Sequence, residues 1–99
     1  MFRVEITFPL QDKNLNDVDM SSIALVIKKI GKKCKGYRLT RTIGFWKPPK
    51  GKPYKGPVWL LVTDTSFDNA VWCRRKKKKW GKKLIQKQRY LSIQVIDWI

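Results

Sequence analysis

The chain has 99 residues, 23 Lys and Arg against 7 Asp and Glu, no His, and a formal net charge of +16. That length makes one domain with one modest core, and 42% apolar residues including 12 aromatics exclude a disordered chain despite the charge. The longest apolar runs, Ile23 to Ile27 and Val58 to Val62, fall far short of the roughly 20 residues that cross a bilayer. The start Met1-Phe2-Arg3-Val4-Glu5 has no apolar stretch of leader length, so an intracellular location is expected.

Phe2, Val4, Ile6 and Phe8 alternate with Arg3, Glu5 and Thr7, which predicts a strand with one apolar face, closed by Pro9. Gln11 to Asp19 is polar and turn-like. Asp19 or Ser21 can cap a helix whose Ile23, Ile27, Ile30 and Cys34 share a face, with Lys28, Lys29, Lys32 and Lys33 outside and Gly36 as the left-handed stop. Tyr37, Leu39, Arg41, Ile43 and Phe45 line one face of a second strand.

From Lys47 to Pro57, prolines and glycines interrupt a basic stretch that reads as a loop. Val58 to Asp64 is a nearly continuous apolar strand, expected at the centre of the sheet and covered on both sides. Thr65 or Ser66 can cap a second helix running to about Lys83, in which Lys76 is expected to lay its methylenes between Trp72 and Trp80. Leu91, Ile93 and Val95 alternate in a closing strand that reaches Trp98. The order β-α-β-β-α-β predicts a single α+β domain over 1–99 with a four-stranded antiparallel or mixed sheet and two helices. Ferredoxin-like wiring fits this order, as does a fold peculiar to small viral proteins.

The charge is segregated. Eleven cations lie between Lys28 and Lys55 and ten between Arg74 and Arg89, with no acid in either stretch. Such crowding repels itself unless an anion meets it, and a polyphosphate is the natural candidate. The expected contact residues are Arg74, Arg75, Lys76, Lys77, Lys78, Lys79, Lys82 and Lys83, with Trp80 as a stacking or wedge surface. The basic loop adds Lys47, Lys50, Lys52, Tyr54 and Lys55.

The expected function is therefore nucleic-acid binding, to DNA or RNA, through phosphates and without strong sequence specificity. The alternative is docking on an acidic surface of a partner protein, with a Trp as anchor. A plainly solvated lysine face, a nuclear-import peptide and a peripheral membrane contact are the competing explanations of the same cations.

Catalysis and cofactors have little support. Without His the usual neutral-pH base is missing, and no glycine-rich phosphate loop or nucleophile motif is present. Metal-assisted phosphoryl chemistry would need Asp64 and Asp68 to converge, with Asp97 or Asp17 and Asp19 nearby. No cofactor or metal is expected. Cys34 and Cys73 alone cannot make a four-ligand zinc site; a disulfide between them is possible in principle, and two reduced, semi-buried thiols are expected instead.

Two resemblances follow from these residues. Lys50-Gly51-Lys52-Pro53 resembles the Arg-Gly-Arg-Pro core of the AT-hook, with Lys at both Arg positions. It implies an extended loop suited to a minor groove, with poorer preference because Lys lacks the flat guanidinium fork. The short, Ile- and Lys-rich, His-free chain, with Val26 to Lys33 and Arg74 to Lys83 as its typical stretches, also resembles small proteins of archaeal filamentous viruses of the lipothrixvirus and rudivirus type. That resemblance implies a heat-resistant product in the host cytoplasm, binding DNA or a host protein. The single Glu departs from it.

Overall fold

Strict alternation makes β1 (Phe2–Pro9) one-sided: Val4, Ile6 and Phe8 are fully buried, while Arg3, Glu5 and Thr7 between them are half-buried on the other face. The computed structural model describes residues 1–11, 20–46, 50, 53–84 and 92–97; of these, 46, 54, 81–84 and 92–97 are described by their backbone. The other elements are α1 (Met20–Cys34), β2 (Arg38–Trp46), β3 (Tyr54–Thr65), α2 (Phe67–Leu84) and β4 (Ser92–Asp97). The expected α+β class with two helices holds, and the sheet is antiparallel rather than mixed. Its order is β2-β3-β1-β4, so β1 and β2 run parallel with β3 between them.

Register fixes which face each residue takes. Val4 stands opposite Thr63, Ile6 opposite Leu61 and Phe8 opposite Trp59. Leu39 and Arg41 continue those rows on β2. Helix α1 brings Ile23, Val26, Ile27, Ile30 and Cys34 onto this face, and α2 brings Ala70, Cys73 and Trp80. Helix α1 lies over β3, and α2 lies over β1 and β4. Leu60 and Val62 point the other way and are only half-buried. The expectation that β3 is covered on both sides is therefore corrected in part: β3 is central, but both helices sit on one face, and on the other Val58 is buried while Leu60 and Val62 are only half-buried.

The basic loop is also shorter than expected. Strand β3 begins at Tyr54, so Tyr54 to Pro57 pair with Ile43 to Trp46. Pairing between β1 and β3 ends at Pro9 and Val58. The β2–β3 ribbon thus runs on past the three-strand region. Gly44 faces Gly56 there, and Pro57 tolerates its missing N–H while its carbonyl accepts the Leu10 N–H at 3.0 Å. The expected AT-hook-like segment falls partly at 51–52, outside the described residues, as does the Asp19 cap; Leu91 and Trp98 of the closing strand also lie outside.

The helix ends are built from short polar side chains. Ser66, outside α2, accepts the Asn69 N–H on its hydroxyl at 3.3 Å and the Ala70 N–H on its carbonyl at 3.0 Å, an N-cap as expected. Helix α1 stops differently from expectation. The left-handed residue is Lys35 (φ 62°), and Gly36 takes φ 153°, a conformation that only glycine adopts readily. Thr63 then donates its hydroxyl to the Gly36 carbonyl at 2.6 Å.

Asn69 joins the two helices, donating from Nδ2 to the Lys33 carbonyl at 3.2 Å and to Thr65 Oγ1 at 3.0 Å. One amide thereby satisfies an otherwise orphaned carbonyl of the last α1 turn from the first turn of α2. Asn69→Ala is expected to cost about 1–2 kcal/mol, read as a lower denaturant midpoint at unchanged slope.

Candidate functional site

The helix that carries the basic run forms because an apolar stripe survives inside it. Ala70, Cys73 and Trp80 face the core, Trp72 and Lys76 lie at its margin, and Arg74, Arg75, Lys77, Lys78 and Lys79 are exposed. Trp80 is 1% exposed and packs edge-on against Trp72, with centroids 5.6 Å apart. The expected stacking surface is thus a core residue. Trp72 instead meets the cations: the Lys33 and Lys76 ammonium groups lie 5.7 and 5.8 Å from its ring centroid. Lys76 is half-buried as its spacing suggested, but the two indoles touch each other directly rather than sandwiching it.

The remaining expected contact residues do not assemble with these. Lys50 and Lys55 are exposed. Lys55 sits on the β2–β3 ribbon, where β3 has β2 as its neighbour, whereas α2 covers β1 and β4. Lys55 and the α2 cations are therefore carried by different strands' neighbourhoods, β2–β3 for the one and β1–β4 for the other. Lys47 and Lys52 lie outside the described residues, and Tyr54, Lys82 and Lys83 are described by backbone alone.

Among the described residues the acidic side chains do not gather into a metal centre. Asp64 accepts the Arg3 guanidinium Nε at 3.1 Å on the open sheet face, which raises the Arg3 pKa through that hydrogen bond and the charge behind it. Asp68 sits exposed in the first turn of α2, where the helix dipole favours it. Among the described residues no three of Cys, Asp and Glu stand close enough to hold a metal ion, and no described helix is long and apolar enough to cross a membrane.

A surface not singled out in the sequence lies on the ribbon. Ile43 and Phe45 are 64% and 63% exposed on the same face of β2 as Arg41. Beside them opens a shallow groove of about 520 Å³ lined by Arg41, Thr42, Ile43, Lys55, Gly56 and Pro57. It combines an apolar floor with two cations. The signal was present in the alternation of Leu39, Arg41, Ile43 and Phe45, but a face drawn toward the core gave no reason to expect its far half to be bare.

No family model and no curated protein matches the chain. Solved structures do. CutA from Pyrococcus horikoshii is 24% identical with a TM-score of 0.63, covering 99% of this chain and 84% of that one. The periplasmic divalent cation tolerance protein CutA from Archaeoglobus fulgidus is 14% identical with a TM-score of 0.67, covering 99% and 84%. The fold is shared with CutA. It is shared equally with a phage SAM lyase in complex with S-methyl-5'-thioadenosine, at 10% identity and a TM-score of 0.72, over 97% of this chain and 80% of that one.

The expectation of a DNA- or RNA-binding protein, and of a viral accessory protein docking by the same cations, is overturned. The structures that share this fold are known as CutA, a divalent cation tolerance protein in the Archaeoglobus fulgidus case, and not as nucleic-acid binders. The physical reason agrees with them: Trp80, the aromatic expected to stack within the lysine run, is buried in the core.

Proposed function

We propose that the chain is a homo-oligomeric small-molecule-binding module of CutA-like fold, binding rather than catalytic, whose ligand is a small anion with an apolar part. The observation that carries this is the bare β2–β3 ribbon. Two strands without a third are marginal in water, and these expose Ile43 and Phe45 beyond the edge of the three-strand region. A second copy covering the ribbon supplies what the single chain lacks.

A chain of net charge +16 repels its own copies unless they meet where charge is balanced. The open sheet face meets that condition. By register it carries Arg3 and Arg38 against Glu5 and Asp64, with Thr7, Thr40, Leu60 and Val62 around them. The lysine-rich faces of α1 and α2 are turned the other way. Arg41 and Lys55 at the groove favour an anionic ligand, and the same overall charge disfavours a divalent cation as the bound solute. A divalent cation tolerance protein and a lyase bound to S-methyl-5'-thioadenosine both deal with small solutes, which supports a small ligand over a polymer.

Sedimentation velocity over about 1–100 µM chain tests the assembly. A mass above that of one chain is expected for the unmodified protein. Ile43→Ser with Phe45→Ser, and separately Val62→Lys, are expected to give monomers with an unchanged far-UV spectrum. A monomeric parent chain at the top concentration overturns the reading.

A further inference from the structure

The fold places two thiols from distant parts of the chain against each other in the core. Cys34 is the last residue of α1 and Cys73 lies in the second turn of α2; both are free, and their sulfurs stand 3.9 Å apart. Cys73 is fully buried and Cys34 is 9% exposed. Nothing in the proposed ligand site uses them. We propose that Cys34 and Cys73 are a reversible dithiol–disulfide pair that bolts the end of α1 to α2 when the chain meets a low-molecular-weight disulfide.

The chemistry of the pocket separates this from metal capture by the same sulfurs. Burial, and after it the neighbouring Cys34, pushes the Cys73 thiol up to about 12, so this sulfur is held neutral. Two sulfurs supply only half of a four-ligand set, and among the described residues no third Cys, Asp or Glu stands near enough to add to it. A disulfide is neutral and apolar, and suits the site without a counter-charge. Closing the pair requires the sulfurs to move from 3.9 Å to a bond of about 2.05 Å.

The exchange balances without any further reagent. The Cys34 sulfur, the one with residual exposure, attacks a small disulfide RSSR; an S–S bond breaks, RS⁻ leaves, and it takes up the Cys34 proton as RSH. The Cys73 sulfur then attacks the Cys34 sulfur of the mixed disulfide. The internal bond forms, the second RS⁻ leaves, and it takes up the Cys73 proton. Two protein thiols are oxidised and one RSSR is reduced to two RSH. Cys73 attacks only through a scarce thiolate, which slows the second step, and a thiol of high pKa is a poor leaving group, which slows the reverse reduction.

The bond closes a loop 39 residues apart in sequence that contains all of β2 and β3. Closing a loop of that length is expected to raise the melting temperature by on the order of 10–20 °C, reversibly with a dithiol reductant.

The full reduced chain, incubated with oxidised glutathione, quenched with an alkylating agent and weighed intact, tests the proposal. The expected product has lost two hydrogen atoms, carries no alkyl group and no glutathione, and melts higher than the reduced form. Cys73→Ser is expected to stop at one bound glutathione and to melt no higher. Two alkyl groups on the challenged native chain, with oxidation only in denaturant, overturn the proposal. Disulfide-linked dimers in place of the internal bond do so as well. The mass result on the unmodified chain stands even if the serine variant fails to fold.

Discussion

Trp80→Ala is expected to destabilise the fold by about 3–5 kcal/mol, the range for emptying a buried aromatic site. That is a large part of the 5–15 kcal/mol by which a domain of this kind is stable at all. Trp80 is the largest of the fully buried side chains, and it packs on Trp72 as well as on the core formed by α1 and β1. Its removal opens a cavity at the foot of α2 and strips Trp72 of its edge contact. Lys77→Ala and Lys78→Ala, three and two residues earlier and exposed, are expected to stay within about 0.5 kcal/mol. Denaturant unfolding of the three variants decides the matter. Were Trp80 an exposed stacking residue, its alanine variant would unfold with the lysine ones.

Leu61→Ala and Leu60→Ala make the second comparison. The residues are adjacent, identical in type and on opposite faces of β3. Leu61 is fully buried opposite Ile6, whereas Leu60 is half-buried opposite Thr7. Leu61→Ala is expected to cost about 2–5 kcal/mol and Leu60→Ala about 1 kcal/mol in the single chain. A difference of at least 1 kcal/mol between two alanine variants of one strand establishes that at this row the helix-bearing face is packed and the other is not. Equal costs would mean that something covers the other face within the same chain.

Much of the architecture was legible because its signals were local. The period of two in Phe2 to Phe8 and the spacing of Ile23, Ile27, Ile30 and Cys34 report directly on burial, and Ser66 announced the start of α2. The errors have identifiable causes. Val58 to Val62 looks continuous because Leu60 and Val62 are as apolar as Leu61, and hydropathy along a strand does not say whether its second face is covered inside the same chain. The proline and glycine content of 47–57 hid a strand whose irregular residues are tolerated because the ribbon there has lost its third strand. Trp80 was misplaced by its neighbours: six cations suggested exposure, yet a helix needs only one residue per turn or so directed inward. The pairing of Ile43 and Phe45 with Arg41 and Lys55 was invisible for a different reason. It depends on register across two strands, which no single segment encodes.

Strand β1 lies between β3 and β4 and pairs with both. A ribosome delivers β1 first and β4 last among these elements, so a central strand waits beside an open backbone edge until residues 92–97 have been made. Such non-local closure is slow, and an unfinished edge invites pairing with another nascent copy. Twenty-one of the 23 cations are made during that wait, between Lys28 and Arg89. Mutual repulsion among half-made chains is then a kinetic safeguard, and the positive charge serves synthesis before it serves any ligand.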